Sequence, residues 1–292
     1  MESFLSGLGG KIAEKWLTTL VLPGLLFAGA VLIAWSLSHE HALDPRFLLV
    51  QIGAVTAGVG RGGTVPVILA VTVMMVCASA AALAARGGGF LIQRLWLRQW
   101  RGPLARRLVE RRQADWTAAD DELADHLADT REDTAREHEL AAVRNNIALA
   151  FPAHPTWIGD RARSVEVRVW HTHGLDLGSA WPRLWLIVTD STRAQIMAAR
   201  DAFNQAGGLV GWGLLYVALG AFWWPAAVAG LMTALTGWYR TRLAVAAYAD
   251  LVEATTDLNA KLLAIELGLL ESDISFSRDV GLKITRLLRK GT

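Results

Sequence analysis

The side chains able to do chemistry are few and scattered. His171 and His173 stand two apart in His-Thr-His-Gly-Leu-Asp, with Asp176 three positions on. In an extended segment positions 171 and 173 face one side, and two imidazoles with a carboxylate suit zinc. No further cluster accompanies them, so no bound metal and no cofactor is expected. His39-Glu40-His41 repeats the His-X-His pattern and reads as a solvated turn. Cys77 is the single cysteine and lies inside an uncharged run, where a thiolate is disfavoured. It reads as a small packing residue, and no intramolecular disulfide can form. Gly87-Gly88-Gly89 lacks the Lys-Ser/Thr of a phosphate loop, and G-x-S-x-G, H-E-x-x-H and dinucleotide patterns do not occur. No catalytic residue is assigned, and the chain reads as non-enzymatic.

The elements that carry these residues follow from an excess of apolar side chains. Of 292 residues, 53% are hydrophobic and 19% charged, with a mean hydropathy of +0.31. Soluble domains hold about 45–50% apolar and about 25% charged residues, so this chain departs from them in both directions. Disorder, collagen-like fibres and disulfide scaffolds are excluded, leaving a membrane protein or a very large core. The net charge of +2 implies no global electrostatic partner.

The apolar residues are concentrated. Residues 17–37 and 64–85 carry no charge and each match the roughly 20 residues that a spanning helix needs. Trp16 and Trp35 bracket the first run as interfacial aromatics do. Between Asp201 and Arg240 there is again no charge, and Phe222-Trp223-Trp224-Pro225 divides that region into spans at 206–222 and 225–239. The expected fold is therefore all-α: a polytopic membrane protein with four transmembrane helices and a cytoplasmic helical domain. Its parts are an N-terminal amphipathic segment 1–16, a first transmembrane pair 17–92 with an outer loop 38–63, a cytoplasmic domain 93–205, a second hairpin 206–240, and a C-terminal helix with basic tail 241–292. Phe47–Val59, inside the outer loop, is too short to span and too apolar for an ordinary loop, which suggests a re-entrant or interfacial segment.

Basic residues set the orientation. Lys11 and Lys15, the arginines after residue 85, and Arg240 with Arg242 all fall on one side if both termini are cytoplasmic, and the outer loop holds only Arg46 and Arg61. The expected location is thus a bacterial inner (plasma) membrane. Residues 86–112 hold eight Arg and one acid, and residues 115–139 hold ten acids and two Arg, so a basic helix followed by an acidic one is expected. Arg94, Arg98, Arg101, Arg106 and Arg107 are assigned to the membrane surface, where anionic lipid attracts each by about 1 kcal/mol. Nucleic acid is not an expected partner, because the adjoining acidic stretch repels phosphate.

Further on, Trp181–Val188 reads as a packed linker or interfacial turn, and a helix should start near Thr192 and run into the third span. After the fourth span, Leu251, Ala254, Leu258, Leu262 and Ile265 form one apolar stripe expected to pack on residues 192–205 or on a partner chain. Gly207 with Gly211, and Ala226, Gly230 and Ala234, follow the small-xxx-small spacing that lets membrane helices approach closely, within the hairpin or in a homo-oligomer.

The stretches Pro-Thr-Trp-Ile-Gly-Asp-Arg from Pro155, Gly-Leu-Asp from Gly174 and Trp-Pro-Arg-Leu from Trp181 resemble a family of multi-pass membrane proteins of actinobacteria. That resemblance covers roughly residues 150–260. It implies topology and source, and carries no activity. The functional expectation is a membrane effector, pore or scaffold acting through helical assembly, with a cytoplasmic signal-receiving domain. A channel or transport subunit is the alternative, and a metal-dependent membrane enzyme a third class.

Overall fold

A computed structural model describes residues 21–47, 49–51, 53, 63–128 and 133–290. The N-terminal segment 1–16 and most of the apolar stretch 47–59 lie outside the described residues. The elements are α1 (Leu22–Leu37), α2 (Thr64–Leu97), α3 (Pro103–Ala128), α4 (Thr134–Ile147), α5 (Trp157–His173), α6 (Leu177–Ile187), α7 (Asp190–Leu219), α8 (Trp224–Glu266) and α9 (Arg278–Leu288), with no strand among the described residues. The protein is all-α. By length and composition α2 is the one described helix able to cross a membrane, and α1 is a shorter apolar helix of 16 residues.

The chain forms two compact units. The first holds the described residues up to Ile92 together with Asn204–Arg240; the second holds Gln93–Phe203 and Thr241 onward. In the first unit, small residues face inward. Ala34, Ala78, Ala82, Ala85, Ala206 and Ala226 are all buried. A Cβ built on Gly24 would overlap the Ala78 carbonyl, one on Gly213 would overlap Ala234, and one on Gly220 would overlap Ala227. Large apolar side chains face outward instead, including Leu26, Ile68, Leu69, Val76, Leu231 and Met232. Phe27 packs its ring edge against Tyr216 at 5.1 Å, beside Leu219 and Trp223. The turn after α1 meets the turn between α7 and α8: Trp223 Nε1 donates to the Ala42 carbonyl at 2.9 Å, and a His39 ring nitrogen lies 2.9 Å from the Ala221 carbonyl oxygen.

The second unit has the opposite character. Its core joins Val165 and Val169 of α5, Ala180 and Leu184 of α6, Val252, Ala260 and Leu263 of α8, and Ile284 of α9. Three of its helix ends show defined caps. Thr156 accepts from the Gly159 amide to start α5. Gly174, at φ 68°, ends α5 in the left-handed conformation, with its amide bonded to the Trp170 carbonyl. Gly268, also at φ 68°, closes α8 through paired bonds from Gly268 N–H to Ile265 O and Leu269 N–H to Ala264 O.

Several expectations change. The basic and acidic stretches are not two helices: Gly102 (φ 134°) and Pro103 break the chain, and α3 then carries both charge types. Its arginines lie toward the N-terminus and its acids toward the C-terminus, against the helix dipole. The hairpin with α4 offsets this, because Arg144 pairs with Asp120 at 2.9 Å and Arg136 with Glu122 at 3.1 Å. Trp181–Val188 is not a linker, since it falls largely within α6. The basic C-terminal stretch includes a helix, α9. The stripe at 251–265 is not buried against 192–205: Leu258 is 81% exposed, and α8 buries Ala249, Val252, Thr256, Ala260, Leu263 and Ala264 instead.

Candidate functional site

The metal candidates are separated by the helix they occupy. Positions 171 and 173 lie in the last turn of α5, about 200° apart around its axis, so they do not share a side. The expectation built on an extended segment fails for that reason. His173 Nε2 pairs with Asp257 Oδ1 of α8 at 2.6 Å. Asp176 Oδ2 accepts from Arg289 Nε at 3.2 Å. Among the described residues no group of three His, Cys, Asp or Glu side chains is placed to hold a metal ion.

This turn serves instead as the seat of α9. Arg278 Nε donates to the His171 carbonyl at 3.1 Å. Thr285 Oγ1 donates to the Gly174 carbonyl at 2.9 Å and accepts from the Asp176 amide at 3.0 Å. Gly281 is needed because a Cβ there would overlap the His173 carbonyl oxygen. Burial pushes the Asp176 carboxyl up, but bonds from Ser179, Arg289 and the Gly178 amide outweigh it and hold it below the usual carboxylate range.

A second cluster was not singled out from sequence. Asp160 of α5 is buried and accepts from four donors. Arg112 approaches through Nη2 at 2.9 Å and Nε at 3.2 Å, and the Ala153 and His154 amides each lie at 2.8 Å from the other oxygen. His154 Nδ1 is 3.5 Å from the same carboxylate. Burial raises the Asp160 carboxyl, yet His154, the two amides and Arg112 together bring it below its ordinary value. Arg112 also donates to the Ile147 carbonyl, so this carboxylate ties α3, the end of α4 and the 148–156 connection to α5. Alongside, two ion pairs, Arg161–Asp250 and Arg168–Glu253 at 2.8 Å, and the His173–Asp257 hydrogen bond run up one seam of α5 and α8. Burial, followed by the Asp257 and Asp250 charges, pushes the Glu253 carboxyl up against the pull of Arg168 and Arg161. Each of these groups is bonded to a partner within the second unit. Their arrangement is one of assembly.

The five arginines assigned to a surface are exposed. Arg94 is in the last turn of α2, Arg98 and Arg101 are in the connection, and Arg106 and Arg107 are in the first turns of α3. Arg106 makes an open ion pair with Glu110 at 3.7 Å. Exposed Leu95, Leu97, Leu104 and Leu108 are interleaved with them.

The small residues form the tightest contacts. A Cβ on Gly89 would overlap the Gly207 carbonyl, and one on Gly211 would overlap the Ala85 carbonyl, so α2 and α7 touch backbone to backbone. Gly230 lies against the Gly213 carbonyl and the Tyr216–Val217 backbone, and Ala234 lies against Gly213. Ala226 is packed with Ala34 and Leu219. Gly89, weighed in the sequence only against a phosphate loop, is thus a packing residue whose signal was its i+4 and i+7 spacing to Ala85 and Ala82. Comparison with protein-family models, curated proteins and solved structures gives no match.

Proposed function

We propose that the chain is a non-enzymatic, four-span inner-membrane protein with both termini cytoplasmic. Its first unit is the anchor, and its second unit is a helical domain that receives a signal or holds a partner. One observation carries this reading: the first unit is inverted, with alanine and glycine inside and large apolar side chains outside. A soluble core helix is mostly buried, whereas the apolar window of α2 is only 11% buried. Water would penalise such a surface heavily, while lipid tails accept it and leave close van der Waals packing to hold the helices together. Glycine and tryptophan dilute the hydropathy of α7 and α8, yet residues 202–239 contain no charge, which supports two further spans there. The exposed arginines at 94, 98, 101, 106 and 107, interleaved with leucines, suit an anionic lipid surface on the cytoplasmic side. The actinobacterial resemblance supports the same topology and source.

A scaffold or effector is favoured over a channel. Backbone contact between α2 and α7, and between α7 and α8, leaves no lumen between those pairs, so a pore would require several copies of the chain. The test of topology is cysteine labelling from outside the cell, with Cys77 replaced by alanine and single cysteines at Ser38 and Ser191, both exposed. Labelling is expected at position 38 and not at 191; the reverse pattern overturns the orientation, and labelling at both overturns the span count.

A further inference from the structure

The second unit contains a cleft of about 330 Å³ beside its core, against which Trp181 and Tyr248 of its lining pack. Trp181, Pro182 and Trp185 of α6, Ile196, Met197 and Arg200 of α7, and Tyr248 of α8 line it. Its geometry is held by Arg193, which donates to the Trp185 carbonyl at 3.0 Å and the Leu186 carbonyl at 3.2 Å while pairing with Asp190 at 2.8 Å. The clamp satisfies carbonyls at the end of α6 and fixes it to the start of α7. The two indoles stand 6.0 Å apart and tilted, so they form a ridged apolar wall and not a closed stack.

Every polar side-chain group among the lining residues can donate a hydrogen bond, and only the Tyr248 hydroxyl can also accept one. Arg200 is exposed and makes no ion pair among the described residues. A guanidinium offers donors only, and so do the indole nitrogens; the Tyr248 hydroxyl can donate as well. No carboxylate lines the cleft. An anionic or acceptor-rich wall would favour other ligands, but a guanidinium and further donors around apolar rings favour an anion joined to an apolar body. The volume falls at the small end of ligand sites. Arg200 immediately precedes the uncharged run that begins at Ala202 after Asp201, so lipid is the abundant molecule of that chemistry close in the chain. Arginine is suited to phosphate because its planar fork makes paired bonds.

We propose that this cleft binds one anionic phospholipid, with its headgroup phosphate on Arg200 and its glycerol and upper acyl carbons against Trp181, Trp185 and Met197. The proposal rests on the membrane reading only for the supply of lipid. It goes beyond the exposed arginines, which attract a charged surface without enclosing a molecule.

The test uses the full chain in an uncharged detergent, with Cys77 replaced by alanine and a bimane probe on Met197→Cys, titrated with dioctanoyl-phosphatidylglycerol. A saturable spectral change is expected. Arg200→Gln should weaken it by at least about tenfold, which corresponds to about 1.4 kcal/mol, while Arg200→Lys retains part of the affinity. Arg106→Gln with Arg107→Gln should leave the titration unchanged. Equal response to dioctanoyl-phosphatidylcholine, no effect of Arg200→Gln, or no response at all would each overturn the site. An equal response to inorganic phosphate, or a change driven by protein concentration alone, would assign the cleft to a free anion or to a second copy, and would overturn the phospholipid. Because the short-chain lipid is delivered from solution, a negative result here leaves the labelling experiment on topology to be decided separately.

Discussion

At the scale of single residues, Asp160 concentrates the most interaction in the least space. Its carboxylate is almost fully buried and is bonded by one guanidinium and two amides. Replacing it with asparagine leaves Arg112 without its counter-charge, and losses of this kind cost about 3–5 kcal/mol. Arg112 keeps some contact with water, so the lower end of that range is expected in thermal unfolding of the full chain. The pH dependence has a definite sign. The folded carboxyl is held below its ordinary value, so its contribution is complete above the usual Asp range and is lost as pH falls through the lower folded value. Asp160→Asn should flatten the acid limb of the stability curve; an unchanged acid limb would show that other carboxylates carry it. The site was not legible in sequence because the donors to Asp160 come from residues 112, 153 and 154, and two of them are backbone amides. Side-chain identity gives no sign of an amide turned inward. His171, His173 and Asp176 show the converse: residue types suited to zinc, placed by α5 and its cap so that they meet other partners.

At the scale of elements, the contrast between neighbouring glycines of α7 is the informative one. Gly211 has the Ala85 carbonyl against it, while Gly208 has nothing within 4 Å of a built Cβ. Gly211→Val should cost about 1–3 kcal/mol, near the upper value because the obstacle is backbone. Gly208→Ala should lie within about 0.5 kcal/mol of the parent. Thermal denaturation in detergent measures both, and equal effects would remove the claim that α2 and α7 meet through this seam. The spacing of Gly207 and Gly211 was legible because small residues a turn apart mark a close face. The apolar stripe of α8 was legible too, but its use was not. The stripe chosen by size runs through Leu258, whereas the core accepts the face of Ala249, Thr256, Ala260 and Ala264. Close approach of α5, α6 and α9 requires small side chains, and the three polar pairs with α5 occupy the flank of that same face. Largest is not the same as innermost where helices pack tightly.

For the whole molecule, the inverted first unit and the conventional second unit fit the proposed division between a membrane anchor and a helical domain. If the anchor encloses no lumen, liposomes holding the purified protein at low density should stay impermeant to small ions. Flux that rises linearly with protein from the lowest densities would show a pore within one chain and would sink the scaffold reading. A flux that appears only at high density would indicate a pore shared among copies. Read alone, the chain specifies that it is helical, where charge is absent, that a helix starts near Thr192 and runs into an uncharged stretch, and where its basic residues concentrate. These follow from local properties: periodicity, capping and net charge along a segment. Which faces meet is a different matter. That the His171–Asp176 turn seats α9, that Asp160 gathers donors from α3 and from the 148–156 connection, and that Trp181, Met197, Arg200 and Tyr248 line one cleft all depend on contacts between residues far apart in the chain. Such contacts are selected by shape, by backbone approach and by the pairing of buried charge, and none of these is a property of any one segment.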